Sequence, residues 1–256
     1  ENRLTTIENT LPFAILGRTA PEHPAIAIAT DFWNESLSED GRIQDSDLVS
    51  AEGSYTVAYP LASVASSRRD SSAMLLARTA LAELRRRRDC LTHGDDLSLR
   101  RYDDGRLTFT NWARAYAWYL LGLVRTLAIV EPLTGLDTTD LEAEYRRVAS
   151  IALEKRLSNG LWSCFVDDAD TGVETSGSAG IAAALAIGAR MGIGDDAHTQ
   201  AAYTALTELL SFLTPDGMLG GVSQSNRGGE PLQRSGYRVL SPMASGLLAQ
   251  LMAGLS

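Results

Sequence analysis

The sequence has few of the residues that build metal sites and disulfide frameworks. Its 256 residues include 2 cysteines and 3 histidines, and their spacing matches no ligand pattern. Positive charge is also scarce, with 23 Lys and Arg against 32 Asp and Glu and a net charge of −9, which disfavours a nucleic-acid-binding protein. Arg, Gly or Pro interrupts the longest apolar runs, so none reaches the length of a membrane span. The composition predicts a globular protein without a metal site built from these residues and without a nucleic-acid or membrane partner.

One run of positive charge, Arg85 to Arg88, does not alter this conclusion. It closes a stretch in which leucines alternate with charged residues, the pattern of an amphipathic helix. Cations suit the carboxyl end of a helix because of its dipole. We therefore expect water to solvate these four side chains.

Turn-forming residue pairs recur along the chain at intervals of 64, 55 and 57 residues, counted from glycine to glycine. A short apolar segment follows each pair, and a polar loop then leads into a helix rich in small apolar residues. The pairs are Asp40-Gly41, Asp104-Gly105, Asn159-Gly160 and Asp216-Gly217. The recurrence indicates a repeated structural unit.

Two classes of helix alternate within this repeat. Helices apolar on nearly all sides are predicted at 50–66, 112–130, 176–191 and 241–255. Amphipathic helices are predicted at 71–88, 138–157 and 197–213. Buried inner helices alternating with amphipathic outer ones are typical of an α/α toroid, a ring of helical hairpins, whereas a linear solenoid has shorter repeats. The predicted fold class is all-α, with one toroid domain over residues 1–256.

The stretch from Asn111 to Trp118 is the strongest candidate for function. Asn111 is a favourable N-cap, and Arg114 and Trp118 lie four residues apart, on one face of the helix that follows. A guanidinium group beside two indoles, those of Trp112 and Trp118, can bind a flat anionic sugar, since it grips a carboxylate while the rings cover the pyranose. Packing of both tryptophans in the core is the alternative.

The loops that precede the inner helices collect most of the other notable polar residues. In a toroid these loops lie at one end of the ring, where carboxylates, an arginine, a histidine and aromatic rings would converge as a carbohydrate site requires. Alternatively, Thr175 or Ser176 merely caps a helix and Asp95-Asp96 is a solvated turn. The loop residues are Glu52 with Tyr55, His93 to Asp96, Glu174 to Ser178, and Ser223 to Arg227 with Arg234 and Tyr237.

Four stretches resemble glycoside hydrolase family 105, the unsaturated rhamnogalacturonyl hydrolases, and the related family 88 of unsaturated glucuronyl hydrolases. A Trp-x-Arg-x-x-x-Trp helix start and a Glu-Thr-Ser-Gly-Ser entry to the next inner helix are the specific parts. The order and separation of the stretches also match. They are Ala51 to Tyr55 with Pro60, Leu91 to Gly94, Asn111 to Trp118, and Glu174 to Ala179.

The resemblance implies an α/α toroid of six hairpins that removes a terminal unsaturated uronic acid from oligosaccharides made by polysaccharide lyases. In this family a carboxylic acid protonates C4 of the C4=C5 vinyl ether, water adds at C5, and the resulting hemiketal opens and expels the aglycone. The acid needs a raised pKa, from burial or a neighbouring carboxylate. No cofactor or metal is implied.

Carried over residue by residue, the resemblance places the catalytic acid at Glu52 and a second acid at Glu8. Both positions are Asp in the family, and Glu carries its carboxyl about one methylene further from the backbone. Two alternatives therefore stay open, a hydrolase of saturated glucuronides and a noncatalytic glycan-binding protein. The positions implied to contact or border the sugar are His93, Trp112, Arg114, Trp118, Ser176 and Ser178.

The repeat count is smaller than the family number of six. Counting from Ile7, the sequence contains four hairpins and part of a fifth. An open ring would expose the apolar surface of its inner helices. We therefore expect a six-hairpin toroid whose N-terminal part is missing from this sequence. Either a preceding segment completes the ring, or a partner such as a second copy does, or the chain is a decayed copy of the fold.

Overall fold

A computed structural model describes residues 4–37, 43, 47–133 and 135–256. Within these residues helices predominate, and the strands are short. The helices are α1 Phe13–Thr19, α2 Ala25–Glu35, α3 Tyr59–Ser67, α4 Ser71–Leu91, α5 Ala113–Val130, α6 Thr139–Glu154, α7 Thr175–Arg190, α8 Asp196–Leu209, α9 Gly229–Arg234 and α10 Pro242–Leu255. The strands are β1 Leu48–Ser50, β2 Thr92–His93, β3 Asp96–Tyr102, β4 Leu107–Thr110, β5 Ser163–Phe165, β6 Asp168–Val173, β7 Val222–Ser223 and β8 Arg238–Val239.

The chain divides into two compact units, each assembled from several segments. Unit 1 comprises Glu1–Thr92, Leu99–Thr108 and Gly122–Glu144. Unit 2 comprises His93–Ser98, Phe109–Leu121 and Tyr145–Ser256. The single domain expected over residues 1–256 stays a prediction.

Unit 1 is built around α3, which is buried along most of its length. Helices α1 and α4 both pack against α3. A π-helical segment, Ser54–Ala58, leads directly into α3, and Gly122 of α5 lies against it so closely that a Cβ atom there would be 2.2 Å from the Ser54 carbonyl carbon. Strand β1 pairs antiparallel with β3, with Ser50 opposite Arg100. Close packing of backbones is what the small residues of these helices permit.

Unit 2 is built around α7, in which every residue from Thr175 to Gly188 is buried. Helices α8 and α10 pack against it. Small residues also allow α5 to approach α7 closely, because a Cβ atom at Gly180 would lie 2.5 Å from the Ala117 Cβ atom. Strand pairs β5–β6 and β7–β8 are antiparallel, and β5–β6 leads into α7. A helix apolar on all sides is thus the core of this unit, as its composition predicts.

The turn pairs form the same hairpin turn wherever the structure describes them. Gly105, Gly160 and Gly217 have φ of 85°, 87° and 82°, the left-handed region that favours glycine. Each glycine N–H donates to the carbonyl three residues earlier, at 2.9 Å in all three turns. This confirms the predicted repeat at three positions. The fourth pair, Asp40-Gly41, lies outside the described residues.

The alternation of helix classes is confirmed, with boundaries close to those predicted. Helices α5 and α7 lie at 113–130 and 175–190, against predictions of 112–130 and 176–191. The predicted helix 50–66 is instead a strand end, a π-helical segment and α3. The strands were not predicted, because they are short and contain too few apolar residues to show a two-residue period.

The prediction that no apolar run reaches the length of a membrane span is wrong for α5, and the prediction that all four arginines of the run are solvated is wrong for Arg87. Helix α5 is long and apolar enough to cross a membrane by length and composition, although 78% of that window is buried inside the protein, as in a core helix. Within the arginine run, Arg87 is 1% exposed and is not solvated. It pairs with buried Glu83, while Arg85 and Arg88 bind Asp140 at 2.8 and 2.7 Å. Arg87 lies on the apolar face of α4 between Leu84 and Leu91, which explains its burial.

Candidate functional site

Arg114 stands in the first turn of α5, as predicted, and is 5% exposed. Its guanidinium carbon lies 4.3 Å from the centroid of the Trp112 ring, so the cation covers the face of the indole. The guanidinium also donates to two backbone carbonyls, that of Ser223 at 3.0 Å and that of Gln224. Arg114 thus holds a loop in place, whatever it contributes to a ligand.

Glu174 is fully buried and serves as the N-cap of α7. Its carboxylate accepts from the Ser176 N–H at 3.2 Å, the Ser176 hydroxyl at 2.5 Å and the Gly177 N–H at 2.5 Å. It also accepts from the Ser223 N–H at 2.9 Å. The helix dipole and these four donors compensate the buried charge.

Glu174 and Arg114 therefore bind the same short segment, where β7 ends at Ser223 and the following loop begins. The carboxylate takes the N–H of Ser223, while the guanidinium takes the carbonyl groups of Ser223 and Gln224. We call residues Ser223 and Gln224 the clamped loop. Three of its backbone polar groups bond to two buried charged side chains, and these bonds fix its position.

Ser176 and Ser178 are both fully buried, and their hydroxyl groups serve the structure. The Ser178 hydroxyl donates to the Glu174 carbonyl at 2.8 Å and accepts from the Trp162 N–H at 3.0 Å. The helix cap is therefore Glu174, and the alternative that Thr175 or Ser176 caps α7 is wrong. The proximity of Ser176 and Ser178 to a sugar stays a prediction.

Cys164 lies in the same buried cluster. Burial raises the pKa of its thiol to about 11, and the negative charge of Glu174 adds to the effect. Contacts with Trp112 and Arg114 act in the opposite direction. The indole N–H of Trp112 has no hydrogen-bond acceptor among the described residues. The thiol is thus kept neutral at physiological pH.

Asn111 does not cap α5, contrary to the prediction. Its φ is 62°, a left-handed conformation, and it stands two residues before the helix. Its amide nitrogen donates to Asp96 at 2.6 Å and to Asp167 at 3.0 Å. Its amide oxygen accepts from the Leu97 N–H at 3.3 Å and from the Tyr116 hydroxyl at 3.0 Å. Asn111 therefore links the start of β3 and the turn between β5 and β6 to the start of α5.

The same cluster affects Tyr116. Burial raises the pKa of its phenol, and the carboxylates of Asp96 and Asp167 raise it further. Asp95 and Asp96 are thus not merely a solvated turn, since Asp96 binds Asn111 and the Asp95 carbonyl accepts from Tyr116 at 3.3 Å. The hydroxyl of Tyr116 stays protonated and acts as a donor.

His93 and Trp118 are the more accessible members of the predicted set. His93 is exposed at the end of β2, and the next residue, Gly94, accepts from Arg147 at 2.7 Å. Trp118 is half-buried on α5, four residues after Arg114. Unit 2 thus brings Trp112, Arg114 and the start of α7 together, as the sequence predicted for the loops before the inner helices. Contact of His93 and Trp118 with a sugar stays a prediction.

The two predicted acids both belong to unit 1. Glu52 is half-buried and stands just before the π-helical segment Ser54–Ala58, and its carbonyl accepts from the Thr56 hydroxyl at 3.1 Å. Glu8 is exposed on a 3₁₀-helical turn, Ile7–Thr10. This turn packs against the π-helical segment, where the Thr10 hydroxyl donates to the Thr56 carbonyl. The turn that carries Glu8 thus packs against the segment that follows Glu52 in the chain.

The sequence reasoning missed two buried charged side chains, Arg87 and the carboxylate of Glu174 as a helix cap. For Arg87 a signal was present, because Glu83 precedes it by four residues and it continues the apolar stripe of α4. Glu174 gave a weaker signal, since glutamate is an uncommon N-cap. Among the described residues no group of three His, Cys, Asp or Glu side chains is arranged to hold a metal ion.

Comparison with solved structures defines the class of fold. A crystal structure of a possible family 105 member from Salmonella enterica serovar Paratyphi A superposes with a TM-score of 0.85 at 17% identity, over 98% of this chain and 71% of the other. The unsaturated glucuronyl hydrolase of Bacillus sp. GL1 gives 0.64 at 16% identity, over 97% and 76%. These likenesses confirm the mostly helical class and the fold of families 105 and 88, which is the α/α toroid. The number of hairpins and the closure of the ring stay predictions.

The family model of Glycosyl Hydrolase Family 88 matches residues 102–250, more than half of the chain, so the protein belongs to this family. This confirms the resemblance read from the motifs. The unsaturated rhamnogalacturonyl hydrolase YesR of Bacillus subtilis is 26% identical over 145 residues, which are 56% of this chain and 40% of YesR. The chain thus spans less than half the length of this curated relative in the match.

Proposed function

We propose that this protein hydrolyses the bond to a terminal unsaturated uronic acid in oligosaccharides produced by polysaccharide lyases. Membership of Glycosyl Hydrolase Family 88 over residues 102–250 is the observation on which the proposal rests. The names of similar proteins, an unsaturated rhamnogalacturonyl hydrolase and an unsaturated glucuronyl hydrolase, support the same substrate class. The matched span includes Trp112, Arg114 and Trp118.

Glu52 is the proposed general acid and base. It is half-buried and stands two residues before a π-helical segment, a feature that often occurs at functional sites. Its carboxylic acid donates a proton to C4 of the vinyl ether, and the oxocarbenium-like carbon C5 then accepts water. The Glu52 carboxylate takes the proton that this water loses, so the acid is regenerated. The hemiketal at C5 opens to a ketone, and the former ring oxygen becomes the hydroxyl group of a hemiacetal at C1. This hemiacetal collapses to an aldehyde and releases the aglycone with its hydroxyl group.

Glu8 is the proposed modulator of Glu52. A second carboxylate near the first disfavours its ionised form and raises its pKa, which keeps the acid protonated closer to neutral pH. Packing of the turn Ile7–Thr10 against the π-helical segment supports this role. The exposed position of Glu8 limits the size of the effect, because solvent screens the charge.

For the substrate we propose that Trp112 and Trp118 shape the sugar pocket with His93. Arg114 attracts the uronate carboxylate while its guanidinium keeps the clamped loop in position. Ser176 and Ser178 support the pocket from the protein interior, because both are fully buried and their hydroxyl groups bond to Glu174 and to the backbone N–H of Trp162.

The test is loss of ultraviolet absorbance of the vinyl ether when the protein meets unsaturated disaccharides from pectin and glycosaminoglycan lyases. We expect absorbance loss with the wild type and none with Glu52→Gln, which keeps the shape of the side chain but cannot donate the proton. Glu8→Gln retains activity, with its optimum moved to lower pH.

Saturated disaccharides of the same composition serve as the comparison substrates. Turnover of these with no loss of vinyl-ether absorbance would contradict the proposal and favour a hydrolase of saturated glucuronides. Binding of unsaturated disaccharides without any turnover would instead indicate a noncatalytic glycan-binding protein.

A further inference from the structure

The backbone that carries Glu52 lies directly on a buried guanidinium group, that of Arg87. The Nε atom of Arg87 donates to the Ser50 carbonyl at 3.0 Å. A Cβ atom added at Gly53 would lie 2.0 Å from the Arg87 Nη2 atom and 2.5 Å from its Cζ atom. Arg87 thus contacts the chain two residues before Glu52 and one residue after it.

The closeness of this contact explains why residue 53 is glycine. Its φ of −65° and ψ of −17° are right-handed helical values that any amino acid adopts. Glycine is required here for steric reasons alone, because the Cβ atom of any other residue would overlap the guanidinium group. The identity of residue 53 is therefore coupled to Arg87.

Arg87 is itself held rigidly. It is 1% exposed, pairs with the equally buried Glu83 four residues earlier, and donates to the Glu83 carbonyl at 3.1 Å. Glu83 is fixed in turn by Arg86 at 2.7 Å and by the Ile43 N–H at 3.3 Å. A buried ion pair with its remaining groups satisfied has little freedom to move.

We infer that Arg87 is a positioning residue for Glu52, an inference that rests on the proposed function. Strand β1 ends at Ser50 and helical structure begins near Gly53, so the chain changes direction within the segment that carries the acid. The guanidinium sets the position of this segment on α4, and hence the point from which the long glutamate side chain extends. Misplacement of a catalytic group by about 1 Å can cost about 100-fold in rate.

The first test removes the guanidinium without leaving a buried charge, in the double variant Glu83→Gln with Arg87→Met. Neutral residues of similar size often replace a buried ion pair without loss of stability. We expect kcat on the unsaturated disaccharide to fall about 10- to 100-fold with KM within about threefold, because the acid moves while the sugar pocket does not. Arg87→Lys, which keeps a cation, should retain an intermediate kcat.

The matched control is the double variant Arg85→Met with Asp140→Asn. It removes an arginine from the same run and its acidic partner, both about one third exposed. We expect its kcat and KM to stay within about twofold of the wild type. Hydrogen–deuterium exchange gives a readout without turnover, in which peptides covering 50–58 should exchange faster in the Glu83→Gln, Arg87→Met variant and not in the control.

The second test uses Gly53→Ala, whose effect should depend on residue 87. In the wild-type background we expect kcat to fall about 10-fold or more. In the Glu83→Gln, Arg87→Met background the flexible methionine can yield, so the additional loss from Gly53→Ala should be about threefold or less.

The outcomes separate the two proposals. In one outcome the wild type is active, Glu52→Gln is inactive, and the double variant Glu83→Gln with Arg87→Met has the kcat and hydrogen exchange of the wild type. This outcome overturns the positioning role of Arg87 while the proposed function stands. Additive effects of Gly53→Ala and the double variant would also overturn it. If wild type and Glu52→Gln are equally inactive on every unsaturated substrate, the function is overturned and this role with it.

Discussion

At the scale of single residues, three buried charged side chains form hydrogen bonds with backbone groups. Glu174 accepts from the N–H groups of Ser176, Gly177 and Ser223, and Arg87 and Arg114 donate to carbonyl groups. Such pairing determines the course of the chain more than a surface ion pair does, because a buried charge without its partners is costly.

Substitution of Glu174 by glutamine should therefore be strongly destabilising. The amide NH₂ group would face an N–H donor where the carboxylate now accepts, and the charge opposite the helix dipole would be lost. We expect the free energy of unfolding to fall by about 2–4 kcal/mol, measured by urea denaturation.

Asp195→Asn is the matched comparison for Glu174→Gln. Asp195 caps α8 with bonds to the Ala197 and His198 N–H groups, but its side chain is 72% exposed. Asparagine is an equally good N-cap, so we expect a change below about 1 kcal/mol. Equal losses in the two variants would show that burial of the Glu174 carboxylate is not what matters.

At the scale of elements, glycine permits inner helices to approach the segments they pack on. Gly122 of α5 lies against the backbone at Ser54. A Cβ atom at Gly246 of α10, in contrast, would meet no atom of the described residues within 4 Å beyond the adjoining backbone of its own helix. Both glycines stand inside helices, so the intrinsic preference of the helix for alanine is the same at the two sites.

Alanine at these two positions should have opposite effects on stability. Gly122→Ala should lower the free energy of unfolding by about 2–3 kcal/mol or more, because backbone must move to admit the Cβ atom. Gly246→Ala should raise it by about 0.5–1 kcal/mol through helix propensity alone. Thermal and urea unfolding measure both, and a stabilising Gly122→Ala would contradict the close packing described for unit 1.

Much of the element structure was predictable from the sequence, and much of the site was not. The apolar composition of 176–191 predicted a helix buried on most sides, and α7 is buried from Thr175 to Gly188, because such a stretch has no face suited to water. Asn111 was predicted as an N-cap from its type and position. It serves Asp96 and Asp167 instead, because partners 15 and 56 residues away compete for its amide.

At the scale of the whole molecule, the stability of the protein should decline at alkaline pH. Burial raises the pKa of Tyr116, Tyr145 and Cys164, the last from 9.0 to about 11. A group with a raised pKa stabilises the folded state fully below its unfolded pKa, and this contribution is lost as pH rises through the folded value. For Cys164 the window is therefore about pH 9 to 11.

The contribution of Cys164 can be isolated with Cys164→Ala. The two tyrosines affect wild type and variant alike, so the difference in free energy of unfolding between them reports the thiol. We expect this difference to shrink by about 2 kcal/mol between pH 8 and about pH 10.5, measured by urea denaturation at each pH. A difference independent of pH would contradict the burial of this thiol. Cys90→Ala, at a half-buried position, is the control.

Net charge sets a further condition at this scale. The chain carries −9, and the proposed substrate is an anion, so long-range attraction does not bring them together. The substrate carboxylate must therefore be bound by individual cationic side chains at short range. Arg114 is the candidate for this role on α5. Selectivity then depends on local geometry, since the overall field opposes every anion alike.

The sequence by itself determined the alternation of buried and amphipathic helices, the three described glycine turns and the family. These depend on local periodicity, on the left-handed conformation that glycine adopts, and on short motifs. Only the tertiary structure decided that Arg87 is buried beside Gly53 and that Glu174 and Arg114 grip the clamped loop. Glu174 and Ser223 are 49 residues apart, and Arg114 and Gln224 are 110 apart. No local pattern encodes such pairs, because they form only when separate elements bury each other's polar groups.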